Sequence, residues 1–375
     1  MKKIFLIQLF VTVCFIFGCK EIYTPALSSL QKSFLVVEGI LNVGQDTTII
    51  HLSRTFSLDE LATTNPENNA QIIVEGKDNT TSLLSGTGKG NYVSANLNLA
   101  VNHEYRVRIK TVGGKEYLSD YVKAKITPAI DSISWKRNYK GIQVYANSHD
   151  PANATKYYRW DYGEIWEIHS HFSSGIIYEN GIIRDRIFPQ EDVFVCWKNQ
   201  SSTNILLANS LRLQSDIISE APLVLIPVGD EKLFVRYSIL VRQYALEQDA
   251  YNFFELMKKN TEDIGSLFSP QPSEIKGNLH CVTNADEFVI GFVTASTITE
   301  KRIFISAAQV EPWPNLDNCK EIPVPGLPAS IKEAIDVGLL PYSKISGPPA
   351  GYLFSTAECV DCRTRGGSKA RPIFW

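Results

Sequence analysis

His169 and His171 stand two residues apart in a strand-like segment, so both project from one face together with Glu167 and, further back, Asp161. Two imidazoles and a carboxylate in that pattern are zinc or copper ligands, and a metal held by Glu167, His169 and His171 would activate water in a secreted metal-dependent hydrolase. The competing reading is a solvated strand face opposite the stripe Tyr158, Trp160 and Tyr162. His280 beside Cys281 has the composition of a base and its nucleophile, but neighbouring strand residues point to opposite faces. The chain contains no HExxH, GxSxG, Walker loop or strand-borne GxGxxG. The expectation is a protein that is not an enzyme and uses no cofactor.

Cysteine supplies the remaining chemistry. Cys359 and Cys362 form a CxxC, but a thioredoxin-like motif would open a helix, and Arg363 to Gly367 reads as a turn. A zinc knuckle needs a second close pair, and none exists. Structural bridging is the better reading. Of seven cysteines, Cys14 falls in the expected signal segment and Cys19 is expected to carry lipid, which leaves Cys196, Cys281, Cys319, Cys359 and Cys362, an odd number that permits at most two bridges. One bridge is expected from Cys319 to Cys359 or Cys362, within the C-terminal region. Cys196 with Cys281 is the candidate for the other, since spacing alone does not reveal connectivity.

Lys2 and Lys3 precede an uncharged apolar run, Ile4 to Phe17, which ends at Gly18-Cys19. The order of charge and apolarity is that of a secretory signal, too short to span a bilayer comfortably. The cysteine at its end resembles a bacterial lipobox, which makes residues 1–18 a lipoprotein signal peptide and Cys19 the lipidated first residue of the mature chain. Several acyl chains at about 0.8 kcal/mol per buried CH₂ anchor a protein where one chain would not. Lys20-Glu21 lacks the Asp of inner-membrane retention, so the expected destination is the outer membrane, facing the surface or the periplasm. Losing residues 1–18 removes two of the 37 basic residues and none of the 40 acidic ones, moving the formal charge from −3 to −5. No positive field remains to hold nucleic acid.

At 375 residues the chain has room for two or three domains of about 150 residues each. Residues 19–33 read as a lipidated tether. From Phe34 short β-type runs follow one another, the clearest being His103 to Lys110, where Tyr105, Val107 and Ile109 alternate with polar residues. Residues 34–127 are predicted as an N-terminal immunoglobulin-like β-sandwich, with a boundary at Thr127-Pro128. Residues 128–310 are predicted as a second β-sandwich, of immunoglobulin or fibronectin-III type, whose aromatic strand Tyr157 to Ile168 faces the core. Ala250, Phe253, Phe254 and Met257 fall at i, i+3, i+4 and i+7, which predicts an inserted helix at about 248–262. Residues 311–375 are predicted as an irregular, disulfide-stapled extension packing on the second domain, with a short helix from Ser330 to Val337. Trp135, Trp166 and Trp197 are candidates for a sugar- or peptide-stacking surface, although aromatics at strand spacing are usually core.

Several stretches belong together: Phe34 to Leu41, Tyr237 to Tyr244, Gly277 to Val282, and Glu358 to Arg363 running through Gly366-Gly367 to Phe374-Trp375. With the Gly18-Cys19 step they resemble the family of Bacteroidetes lipoproteins catalogued as domain of unknown function 4249. The resemblance implies an outer-membrane lipoprotein that serves a TonB-dependent receptor as an accessory binding protein, and it brings no catalytic residue with it. An adhesion or assembly component would share the same folds.

Overall fold

The alternation seen in the sequence becomes a set of half-buried strands. In Glu104–Lys110 the side chains of Tyr105, Val107 and Ile109 are buried while Glu104, Arg106 and Arg108 stay partly wet. The computed structural model describes residues 33–56, 65–262, 275–314 and 318–375. Cys19, the expected signal segment 1–18 and all but the last residue of the expected tether lie outside the described residues.

The chain is mainly β. In the first sandwich, Leu35–Asn42, Thr48–Arg54 and Asn91–Ser94 face Gln71–Gly76, Glu104–Lys110 and Glu116–Ser119. Thr81–Gly88 pairs with both layers and closes one side. Leu35, Leu52, Ile72, Val107 and Tyr117 are among the residues of their shared core.

Residues 34–127 do not complete this sandwich alone. Leu279–Cys281 pairs antiparallel to Glu116–Ser119, and Val289–Gly291 and Thr294–Ser296 run parallel to Leu35–Asn42. A parallel partner cannot follow through a tight hairpin and needs a long crossover. Most of the second sandwich, from Ile130 to Leu246, lies within that crossover, and its strand Ile298–Ser306 follows it. The approach is close: a Cβ on Gly291 would collide with the carbonyl oxygen of Val37.

In the second sandwich, Ile130–Asn138, Gly141–His149 and Ile217–Pro227 form one sheet. Val195–Ser201, Tyr157–His169, Arg236–Leu246 and Ile298–Ser306 form the other, with Leu206–Asn209 added beside Tyr157–His169. Tyr158, Trp160, Tyr162, Trp166 and Ile168 are all buried between them. Their polar atoms find partners in the core: Trp160 Nε1 donates to Gln243 Oε1 at 2.8 Å, Tyr158 to Asp216 at 2.6 Å and Tyr237 to Glu164 at 2.7 Å. Burial is the largest cause holding the Tyr158 and Tyr237 hydroxyls above the usual tyrosine range, and it pushes Tyr162 up to about 12. A raised folded-state pKa contributes stability that is complete below the ordinary value and is lost as pH climbs through the folded one. Denaturant midpoints should therefore hold between pH 7 and 9 and fall above pH 10, and a midpoint that rises there would contradict these burials.

Thr127 and Pro128 join the two sandwiches. Ala245 N donates to Thr127 Oγ1 at 3.0 Å, Thr127 N to Thr297 Oγ1 at 2.8 Å, and Gln243 Nε2 to the Pro128 carbonyl at 2.9 Å. The helix Gln248–Thr261 buries Ala250, Tyr251, Phe253 and Phe254 against Tyr157 and Leu246, with Phe292 and Met257 at the margin.

The stapled C-terminal segment has more regular structure than its prolines imply. Ile322–Pro325, Gly351–Thr356 and Leu339–Ile345 form a three-stranded sheet whose central strand, Gly351–Thr356, contains no proline. Pro323 and Pro325 sit on an edge strand and Pro341 at a register shift, the places where a missing N–H is tolerated. The helix beside it is Pro328–Asp336 and begins two residues before the expected Ser330, because Pro328 takes the first turn that proline's fixed φ favours. Gly338 follows in the left-handed region at φ +86°.

Candidate binding cleft

Two disulfides fix the C-terminal segment. Cys196 bonds Cys362 across 166 residues and Cys319 bonds Cys359 across 40. The expected Cys196–Cys281 bridge does not form. Cys281 is a free, buried thiol on Leu279–Cys281 in the first sandwich, whereas Cys196 lies in the second. The two cysteines of the CxxC therefore serve different bridges. After the turn Cys362–Arg365, Gly366 adopts φ 80°, and a Cβ on Gly367 would lie 2.5 Å from that of Cys196. Only glycine lets the chain pass so close to the bridge.

Beside these bridges lies a cleft of about 780 Å³. Ile168 to His171 and Phe194 form one wall, Glu231, Phe234 and Val235 a second, and the Cys319–Cys359 bridge with Glu358 and Arg365 a third. Glu231 ties the walls together. Its carboxylate accepts from Trp166 Nε1 at 3.2 Å, Lys198 Nζ at 2.6 Å and Arg365 Nη2 at 2.7 Å. Arg365 Nη1 also donates to the His169 carbonyl at 3.0 Å, so the stapled turn is clamped onto the sheet. Burial opposes ionisation of Glu231, but the hydrogen bonds from Lys198 and Arg365 outweigh it and hold the carboxyl below the usual range. A lowered folded-state pKa contributes stability above the ordinary value and loses it as pH falls through the folded one. Glu231→Gln should therefore weaken the protein more at pH 7 than at pH 3 in urea titrations, and an equal loss at both would remove the clamp's charge from the account.

The candidate metal residues divide. His169 and His171 both line the cleft. His169 Nε2 bonds Glu167 Oε1 at 2.6 Å and its ring lies 4.8 Å from Phe194. His171 follows the strand end and packs edge-on against Phe172, which stacks on Tyr342. Glu167 instead faces the C-terminal residues: its Oε2 accepts from Trp375 Nε1 at 2.7 Å. Trp375 packs against Phe304, Arg236 lies over both rings, and Arg302 sits 3.5 Å above Phe374. Both Glu167 oxygens are thus engaged, and a metal there would have to displace Trp375. Among the described residues no group of three or more His, Cys, Asp and Glu side chains is placed to hold a metal.

Trp375→Ala removes a hydrogen bond to a carboxylate and a cation–π contact. With the group half exposed, it should cost about 1–2 kcal/mol in denaturant titrations. An unchanged midpoint would show that these residues do not hold the tail.

The three tryptophans do not form one stacking surface. Trp166 is buried, Trp135 packs against the same core, and the indole nitrogen of Trp197 is buried without a partner. Sequence reasoning missed Glu231, Arg365 and Trp375. The only local signals were the arginines after the CxxC and the terminal aromatic pair.

No curated protein matches the chain. A family model does, over residues 20–302, which takes in the first sandwich and the second as far as the middle of its last strand, and stops short of the stapled segment. The chain belongs to the family described as domain of unknown function 4249.

Proposed function

We propose that the protein is an outer-membrane-anchored lipoprotein that presents a pre-formed cleft to a solute or receptor, as the accessory binding partner of a TonB-dependent transporter. The position of the cleft carries this reading. The described chain enters the first sandwich at Leu35 and crosses to the second at Thr127. Tyr157 pairs with Leu246 near that crossing, and His169 stands at the opposite end of the same 13-residue strand. At about 3.3 Å per residue, a strand of that length carries the cleft roughly 40 Å from the crossing. An anchor at Cys19 would thus hold the chain by one end and leave the cleft at the other.

The lining supports binding. Two disulfides and the Glu231 clamp hold the walls before a ligand arrives, which lowers the ordering cost of association. Phe194 and Phe234 offer apolar faces while His169, His171 and Glu358 offer polar edges, a mixture suited to a sugar ring or a peptide.

Benzoylphenylalanine in place of Phe234 in the intact lipoprotein should cross-link a TonB-dependent receptor or its solute on illumination of outer membranes. The same probe at Leu83, exposed on the first sandwich, should not. Equal adducts from both positions, or none from position 234, would reject the reading. Mass spectrometry of the mature terminus tests the anchor independently, and an unmodified Cys19 would remove it.

A further inference from the structure

We infer that the pole of the first sandwich where the chain enters rests on the lipid surface itself, with Phe56, Val112 and Val282 as its contact points. The inference rests on the lipid-anchor reading above and adds to it an orientation. Strand directions define the pole. Leu35 pairs with Arg54, and Phe56 follows two residues later. Gln71 pairs with Lys110, and the hairpin beyond it carries Val112 and returns at Glu116. Val282 N donates to the Glu116 carbonyl at 2.8 Å, which brings a third loop to the same end. Ser33, Phe34, Arg54, Lys115 and Glu287 share one recess there, so both layers meet at this pole. The opposite pole is occupied: Val43 bonds Ser296, and Thr297 bonds Thr127 at the entry to the second sandwich.

Three segments of different origin thus carry exposed apolar side chains at this end that belong to no core cluster. Val112 is 74% exposed, Val282 48% and Phe56 45%. Lys89 and Lys110, exposed at the same end, suit the polar headgroup layer. The Arg54–Glu67 and Lys115–Glu287 pairs neutralise one another beside them. Isolated apolar tips interleaved with lysines fit an interface that needs no matching shape, which favours lipid over a folded partner.

The tether makes weak contacts sufficient. Fourteen positions separate Cys19 from Ser33, at most about 50 Å of extended chain, so an acylated Cys19 keeps this pole at high effective concentration over the bilayer. A second, weaker signal beside a lipid anchor is the arrangement that stabilises membrane attachment.

The test uses the full mature lipoprotein on vesicles of phosphatidylethanolamine and phosphatidylglycerol. An environment-sensitive fluorophore is placed at Val112→Cys in one sample and at Tyr139→Cys in another, both in a Cys281→Ala background. Tyr139 is 87% exposed at the far hairpin of the second sandwich, between Ile130–Asn138 and Gly141–His149. The 112 label should shift to the blue and lose at least half its emission to a lipid-borne quencher, with the 139 label unaffected. Phe56→Ser with Val282→Ser should reduce that quenching at least twofold while the protein stays on the vesicles. Equal behaviour of the two labels on vesicle-bound protein overturns the orientation and leaves the anchor standing. Shielding of 112 that requires a second protein assigns the pole to a protein partner instead. Protein that fails to bind vesicles at all sinks the anchor, and this inference with it.

Discussion

A chain carrying Cys196→Ser and Cys362→Ser is expected to lose about 2–5 kcal/mol of stability, with the C-terminal segment released before either sandwich unfolds. The bridge closes a loop of 166 residues, and the chain-entropy cost removed from the unfolded state grows with loop length. It also joins the strand Val195–Ser201 to the turn that delivers Arg365 to Glu231. Losing it should therefore open the cleft as well as weaken the fold. Limited proteolysis should cut first in the C-terminal segment, and the urea midpoint should fall further than for Cys319→Ser with Cys359→Ser, which opens a 40-residue loop. Equal midpoints for the two pairs, or an uncut C-terminal segment, would contradict this ranking.

Trp160→Ala should be as damaging for a different reason. Trp160 is 1% exposed between the two sheets of the second sandwich and stacks on Tyr158 with centroids 5.8 Å apart. Truncating a buried Trp to Ala typically costs about 3–5 kcal/mol, as the transfer term and the cavity add. The Gln243 amide oxygen would also lose its donor in the core. Trp160→Phe keeps most of the volume and loses only that hydrogen bond, so it should fall well below the Ala variant. Trp135→Ala, at the core's margin, should also be milder. Circular dichroism in urea reads all three, and a mild Trp160→Ala would mean that the aromatic stripe does not hold these sheets together.

Much of the architecture was legible because period-two alternation needs only neighbouring residues. Tyr105, Val107 and Ile109 declare a half-buried strand wherever their partners lie, and Ala250, Phe253 and Phe254 declare a helix face in the same way. Strand pairing across the chain carries no such local mark. Val289–Gly291 and Thr294–Ser296 are three residues each, too short for a pattern, and their partner lies some 250 positions earlier. The prolines of the last segment misled for a related reason: a proline that breaks a central strand is harmless on an edge, and nothing local says which strand is the edge.

The candidate site was half visible. His169 and His171 declare shared chemistry by spacing, but their surroundings are set by Glu231, Arg365 and Cys359, from distant parts of the chain. Glu167 shares their spacing and ends beneath Trp375, because the C-terminal residues cross that face of the sheet.

By itself the sequence determined the β character, the inserted helix, the apolar run before Gly18-Cys19, and the five cysteines beyond residue 19, of which two bridges leave one over. Each depends on residue type or on spacing of a few positions. The tertiary structure alone decided which cysteines meet, which segment completes the first sandwich and where the cleft opens. A disulfide needs its two Cα atoms within about 7 Å, and a cleft needs walls from several strands. Proximity of that kind is a property of the packed layers and is written in no single stretch of chain.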